Sequence, residues 1–364
     1  MLFLTATPAL ELEHINKILK TEGMKEIATE SGINRLGEGA WHFAYLIEEE
    51  QLVLRIPKKI AYEKEVLFNE KALREEYAAT LAFYQHANKV KKGICPEHFK
   101  FRVKKDMTYT MESYMGDSAG LSQQTTKESK QYGRELGMFF RALESVKPPY
   151  KGIGYLEEGE NGELRGKMGK DLHAFLLEES REYEEELQEL VASPYEFNKE
   201  KVIKKAECLL LNRSVDKEQV VLTNQDTSPE NILFTQRGAK MIDPFPLLYS
   251  GTSLAANHLF NYQTLFPTFY NTIRYGKGNY DRYIPQLAAN AKGFMEGYTA
   301  GSRQKHADLH VEVFLKLLTM SYTHLQLLKE EVLNREQVIR FGTKAQVEER
   351  LLIYLKKLEG YPLF

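Results

Sequence analysis

Between residues 223 and 244, one carboxylate, one amide and a second carboxylate are spaced around a short hairpin, and that spacing restricts the chain more than any other stretch. The run Thr223, Asn224, Gln225, Asp226, Thr227, Ser228, Pro229, Glu230, Asn231 leads directly into Ile232, Leu233 and Phe234, and Met241, Ile242, Asp243 and Pro244 follow shortly after. Residues 220–222 are aliphatic and read as a short buried strand. Residues 232–234 and 239–242 read as a hairpin turning at Gln236, Arg237 and Gly238. Asp226 then lies on the loop entering the hairpin and Asp243 at its exit, close in space. Asp, Asn, Ser and Pro are also favoured in plain solvated turns, so the rest of the chain has to weigh between the two readings.

A length of 364 residues fits two domains or two lobes of one enzyme. With 43% hydrophobic and 27% charged residues, the composition is that of an ordinary globular protein able to bury a large core. Lys and Arg number 49 against 51 Asp and Glu, so there is no electrostatic case for a nucleic-acid partner. Cys95 and Cys208 lie far apart without metal-type spacing, which suits a reducing compartment. Leu2, Phe3 and Leu4 are apolar, but no basic segment precedes them and acidic residues follow, a poor match to a signal peptide. No apolar run approaches the ~18 residues of a membrane-spanning helix. The expectation is a soluble cytoplasmic protein with no membrane partner.

Hydrophobic periodicity divides the chain near residue 115. Leu12, Ile15, Ile18 and Leu19 mark an amphipathic helix over residues 11–20. Strands follow over 41–47 and 52–56, joined by the acidic turn 48–51, then a helix over 65–86, then strands over 99–103 and 109–111. After Met115, Gly116 and Asp117 the pattern is mainly helical apart from the hairpin, with late helices over 310–329 and 347–358. There is no internal repeat. The expected division is 1–115 and 116–364.

A carboxylate, an amide and a second carboxylate so placed suit phosphoryl transfer from a nucleotide. One Asp orients the attacking hydroxyl and accepts its proton, while the Asn and the other Asp hold the metal that bridges the phosphates. Asp226 followed by Asn231, together with Ile242, Asp243 and Pro244, resembles the catalytic and metal-binding loops of the aminoglycoside phosphotransferase and choline kinase superfamily. These are small-molecule kinases of the protein-kinase-like fold. Their loop usually reads His-Gly-Asp where this chain has Asn224, Gln225 and Asp226, and Asn224 can replace the bracing histidine through hydrogen bonds. The resemblance implies an α+β bilobal fold: a small N-terminal lobe with an antiparallel sheet plus helix, and a larger, mainly helical C-terminal lobe. It implies ATP and Mg²⁺ as cofactors, Asp226 as catalytic base, and Asn231 and Asp243 as metal ligands.

The N-terminal third supplies further pieces in the same order. Gly37 and Gly39 form a glycine-containing turn feeding a strand, where backbone N–H groups approach phosphates because no side chain intervenes; the same pattern also occurs in ordinary turns. His42 stands where protein kinases have a third glycine, and Ala44 fits the small-residue position over the adenine. Arg55 stands where a lysine usually contacts the phosphates, with Lys58 and Lys59 as rivals, and a guanidinium can grip phosphate bidentately. Glu75 shares a helix face with Ala78, Ala79 and Ala82 and matches the glutamate that positions that cation. Met111, Glu112 and Tyr114 fall on the implied hinge, whose main chain meets the adenine edge; the stretch reads equally as a domain linker.

Two features of the C-terminal part bear on substrate. Ser253, Leu254 and Ala255 stand near where the family often has Asp-Leu-Ala, so a carboxylate is missing. Glu157, Glu158 and the acidic stretch 178–189 read as solvated faces, with attraction of a cationic substrate as the other reading. Phe260, Tyr262, Phe266, Phe269 and Tyr270 read as core rather than pocket lining. The expected activity is transfer of the ATP γ-phosphate to a hydroxyl of a small molecule. A catalytically impaired nucleotide-binding scaffold is the alternative raised by Asn224, Gln225, Arg55 and Ser253. A protein kinase fits less well, since no long activation segment follows Asp243.

Overall fold

The computed structural model describes residues 8–39, 41–61 and 64–363; Leu2, Phe3 and Leu4, which entered the sequence reading, lie outside them. The chain forms two compact units, one running up to Tyr84 and including Pro96–Met115, the other made of Gln85–Cys95 and the chain from Gly116 onward.

In the first unit, α1 (Pro8–Thr21) precedes β1 (Asn34–Glu38), β2 (His42–Ile47) and β3 (Leu52–Pro57). The short pair β4 (Ile60–Ala61) and β5 (Lys64–Glu65) leads to α2 (Glu70–Val90), β6 (Phe99–Arg102) and β7 (Tyr109–Ser113). A five-stranded antiparallel sheet forms in the order β1-β2-β3-β7-β6. Alternation along the strands sorts its side chains. Tyr45, Ile47, Leu54, Tyr109 and Met111 are buried with Ile15, Ile18 and Leu19 of α1 in one core. Arg55, Thr110 and Glu112 belong to the other alternation, and there Phe99 and Phe101 meet Tyr84 and Tyr77 of α2.

Two local expectations are corrected. Helix α2 starts at Glu70 rather than residue 65, because Asn69 accepts the Ala72 N–H through its side chain at 3.1 Å, an N-cap that ends the preceding extended segment. Gly37 is not in a turn. It lies in β1 opposite Ala44, just past a bulge after Arg35, and the turn itself is closed by the Gly39 N–H donating to the His42 carbonyl at 3.0 Å.

The second unit opens with α3 (Thr126–Glu144), β8 (Ile153–Glu158), β9 (Leu164–Met168), α4 (Leu172–Ala192) and α5 (Lys199–Leu211). Strands β10 (Val220–Asn224), β11 (Ile232–Thr235), β12 (Gly238–Met241) and β13 (Pro246–Ser250) follow. Helix α6 (Gly251–Phe260) runs through a π-helical turn (Asn261–Leu265) into α7 (Phe266–Phe269). Helices α8 (Ile284–Thr299), α9 (Arg303–Lys329), α10 (Arg335–Phe341) and α11 (Lys344–Gly360) complete it. The hairpin β11–β12 is not its only extended structure: β10-β13-β8-β9 form a four-stranded sheet. Beyond β10, its strands escaped periodicity because β13 is buried at every position, which leaves no alternation, and β8 and β9 carry Gly154 and Gly166.

Helices α3 and α8 pack backbone to backbone. Gly133 and Gly137 on α3 face the carbonyls of Asn290 and Phe294, and Gly293 and Gly297 on α8 face those of Lys130 and Arg134. A Cβ at any of the four would overlap main-chain atoms. Beyond them, α4, α5, α9 and α11 enclose a core containing Leu187, Val202, Phe314, Leu318, Leu351 and Tyr354. Phe260, Tyr262, Phe266 and Phe269 are core residues, while Tyr270 is exposed. Among the described residues no helix is long and apolar enough to cross a membrane.

The glycine contacts predict that Gly137→Ala forces the two helices apart at a cost of about 1–3 kcal/mol. A urea midpoint unchanged from that of the parent protein would refute this.

Candidate active site

Asn224 ends β10, where it pairs with Pro246 of β13, and its side chain is 1% exposed. Its Oδ1 accepts the Asp226 N–H at 3.0 Å and the Phe245 N–H at 2.8 Å, while its Nδ2 donates to the Asp226 carbonyl at 2.6 Å. A side-chain amide carries its acceptor and its donors on separate atoms, so it can take both N–H groups on one side and reach the carbonyl on the other. Gln225 N–H adds a bond to the Phe245 carbonyl at 3.0 Å, and Asn257 Nδ2 donates to the Gln225 carbonyl at 2.9 Å. The segment leading to Asp226 is thereby tied to the segment leaving Asp243. Asp226 itself is half-buried, with Oδ1 accepting the Ser228 N–H at 3.0 Å in an Asx turn.

The hairpin base brings the other two residues together. Ile232 pairs with Met241, the Ile242 N–H donates to the Asn231 carbonyl at 3.0 Å, and Asn231 N–H donates to Ser228 at 2.9 Å. Asn231 and Asp243 therefore flank one closed pair of main-chain groups. Asp243 has φ +46°, a left-handed conformation unusual for a side chain other than glycine and of the kind that collects at functional sites. It is exposed and Asn231 partly so. Among the described residues no group of three or more His, Cys, Asp or Glu side chains is placed to hold a metal. Two oxygen donors at a hairpin base instead suit Mg²⁺, which keeps water and phosphate oxygens as its remaining ligands.

Beneath the loop lies a polar layer that the sequence reading did not single out. Thr227, next to Asp226, hydrogen-bonds its Oγ1 to His258 Nδ1 at 2.9 Å, and His258 Nε2 meets Asn290 Oδ1 at 3.1 Å. Since that oxygen only accepts, Nε2 carries the proton and Nδ1 accepts from the threonine hydroxyl. The ring is fully buried and stacked between Tyr262 and Phe294 at 4.2 and 4.1 Å. Burial pushes its pKa down from 6.5 to about 3. The only sequence signal was a polar pair, Asn257 and His258, inside the apolar run of α6. Tyr262, one residue into the π-helical turn, keeps its hydroxyl buried and unpaired, and burial with the nearby charges of Glu230 and Asp226 raises its pKa. Ser253 sits in the first turn of α6, buried, its N–H on the Ser250 hydroxyl at 3.0 Å and its own hydroxyl reached by Lys316 Nζ at 3.3 Å.

The remaining expected residues lie in the first unit. Gly37 and Gly39 are exposed, neither has positive φ, and a Cβ at Gly37 would meet nothing within 4 Å. Arg55 Nε donates to Glu112 Oε1 at 2.9 Å. Glu75, on α2, has Lys71 Nζ at 3.7 Å. The Met111 side chain is core, and the Tyr114 and Ser113 N–H groups donate to the Gln51 and His98 carbonyls at 2.9 and 3.0 Å. The acidic stretches are only partly solvated. Glu157 pairs with Arg165, Glu179 takes bonds from Arg213 and Tyr249, and burial lifts the Glu186 carboxyl to about 7 beside Thr319.

No protein-family model matches the chain and no curated protein matches it. Solved structures do match across nearly its whole length. A thermostable mutant of aminoglycoside phosphotransferase APH(4)-Ia, in ternary complex with AMP-PNP and hygromycin B, is similar at TM-score 0.51 and 13% identity, covering 96% of this chain and 99% of that one. The GDP complex of aminoglycoside 2'-phosphotransferase-IIIa is similar at TM-score 0.50 and 11% identity, covering 96% and 98%. A choline/ethanolamine kinase family protein from Mesorhizobium loti aligns at TM-score 0.47 and 13% identity over 95% and 99%. The fold is that of the small-molecule kinases: an α+β chain with an N-terminal antiparallel sheet and a largely helical C-terminal part.

Two outcomes test the loop. Asn224→Ala strands two backbone N–H donors and is expected to cost on the order of 2–5 kcal/mol, read as a drop in the urea midpoint. His258 titrates lower in the folded chain than the unfolded value of 6.5, so the unfolded chain binds the extra proton. Its contribution is complete above pH 6.5 and is lost as pH falls toward 3, at about 1.4 kcal/mol per pH unit. Denaturation of His258→Gln between about pH 6.5 and 4.5 should show a shallower acid limb by one proton; parallel limbs would contradict the assignment.

Proposed function

We propose that this protein is an ATP-dependent phosphotransferase that moves the γ-phosphate to a hydroxyl of a small molecule. The observation that carries the reading is the loop clamped by Asn224, which holds Asp226 and ties it to the hairpin base where Asn231 and Asp243 stand. A decayed site has no need of a left-handed aspartate or of a buried amide that satisfies three main-chain groups. Solved structures of like fold contain GDP, or AMP-PNP with hygromycin B, which supports a nucleotide and a hydroxyl-bearing acceptor here.

Asp226 orients the acceptor hydroxyl and takes its proton late, as the bond to phosphorus forms. Asn231 and Asp243 would hold Mg²⁺, which would neutralise phosphate charge when bound. Arg55 holds the phosphates, with Glu75 positioning it, and the main chain around Met111, Glu112 and Tyr114 takes the adenine. The Tyr114 and Ser113 N–H groups are engaged within the sheet, so their carbonyls are the better candidates. Gly37 and Gly39 are glycines that neither backbone conformation nor packing requires, and the absence of side chains leaves room for phosphates to approach main-chain N–H groups.

Calorimetric titration of Mg²⁺–ATP should show metal-dependent binding to the parent protein, loss of that binding in Asp243→Ala, and near-normal binding in Asp226→Ala. With an acceptor found by library screening, Asp226→Ala should lower kcat by at least about a hundredfold. Normal turnover by that variant would sink the mechanism, and absence of any nucleotide binding would sink the function.

A further inference from the structure

Arg55 and Glu112 are placed by register. Arg55 faces Thr110 across β3 and β7, and Glu112 faces Val53, so the two side chains lie diagonally on one face of the sheet, within reach of long side chains. Arg55 Nε donates to Glu112 Oε1 at 2.9 Å, with side chains 14% and 3% exposed. The second carboxylate oxygen is also engaged: Tyr84, on α2, donates its hydroxyl to Glu112 Oε2 at 2.9 Å in a fully buried contact. Phe99, the cross-strand partner of Glu112 on β6, packs edge-on against the Tyr84 ring with centroids 5.4 Å apart.

We infer that Glu112 is a second positioning residue for Arg55 beside Glu75, with Tyr84 locking the carboxylate, and that the strand carrying the adenine-facing main chain thereby also sets the phosphate-binding cation. The inference rests on the proposed function, and it gives the Glu112 side chain a role that its place on the hinge did not imply. A carboxylate held from both sides can adopt one geometry, and a bond to Nε fixes the plane of the guanidinium. A planar donor gains its advantage over an ammonium only when that plane is set in advance. With the two side chains 14% and 3% exposed and the second carboxylate oxygen held by Tyr84, the pair is a fixed part of the unit rather than a mobile surface contact.

The test is calorimetry of Mg²⁺–ATP and of adenosine on the parent, Glu112→Gln, Tyr84→Phe, Arg55→Gln and the Arg55→Gln/Glu112→Gln double variant, with melting temperatures alongside. Glu112→Gln is expected to weaken ATP about tenfold, the order of one charge-assisted hydrogen bond, and to leave adenosine unchanged. Tyr84→Phe should shift the ATP-to-adenosine ratio the same way by less. In the Arg55→Gln background the Glu112 substitution should add nothing. An unchanged ratio in Glu112→Gln, or additive losses in the double variant, would overturn the inference while leaving the nucleotide site intact. If Glu112→Gln does not fold, Tyr84→Phe decides, and an unchanged ratio there overturns it. A parent that binds neither ligand overturns the proposed function and this inference together.

Discussion

One amide holds the loop that carries Asp226. Asn224 closes hydrogen bonds to both main-chain groups of Asp226 and to the N–H of Phe245, so the chain entering the hairpin and the chain leaving it share an anchor. Phe245 immediately precedes β13, and Asp243 lies two residues before Phe245 in its left-handed conformation. The pairing of β10 with β13 and the positions of both aspartates depend on that side chain. An amide meets all three main-chain groups at once, whereas a carboxylate or an aliphatic group would leave main-chain partners unmet.

A loop so constrained needs a rigid floor, and the second unit provides it by two kinds of packing. The four glycines of α3 and α8 allow the helix backbones into contact, which fixes Asn290, whose carbonyl sits over Gly133. From the same residue, the side chain receives His258, and the stacked imidazole passes the register on to Thr227 beside Asp226. The histidine does this as a neutral ring, because two aromatic faces and complete burial make its protonation costly. Loops are commonly positioned by a rigid scaffold, and here the scaffold reaches the loop through a short chain of polar contacts.

The first unit solves a different problem, that of holding a cation inside a sheet. Burying a guanidinium against a carboxylate yields little net stability, since desolvation offsets attraction, but removal of one partner is severe. What the arrangement of Arg55, Glu112 and Tyr84 supplies is geometry: a strand, its neighbour and a helix each contribute one group to a single contact.

Much of this was legible in the order of residues. Amphipathic α1, strands β2, β3, β6 and β7 of the first sheet and the hairpin between Asp226 and Asp243 follow from local periodicity and turn chemistry, which act over a few residues and are written in them, while β1 was read as a glycine turn. The start of α2 was missed because the Asn69 cap lies outside the apolar pattern. Strands β8, β9 and β13, which join β10 in a sheet, were missed because strands buried at every position or interrupted by glycine carry no alternation. The sequence by itself determined which chemistry is available, since Asp226, Asn231 and Asp243 are tied to a hairpin that short-range forces build. Only the tertiary structure decided what holds each group: Glu112 meets Arg55 from 57 positions away and Asn290 meets His258 from 32. No local pattern encodes such contacts, because strand register and helix approach emerge only when the whole core is packed.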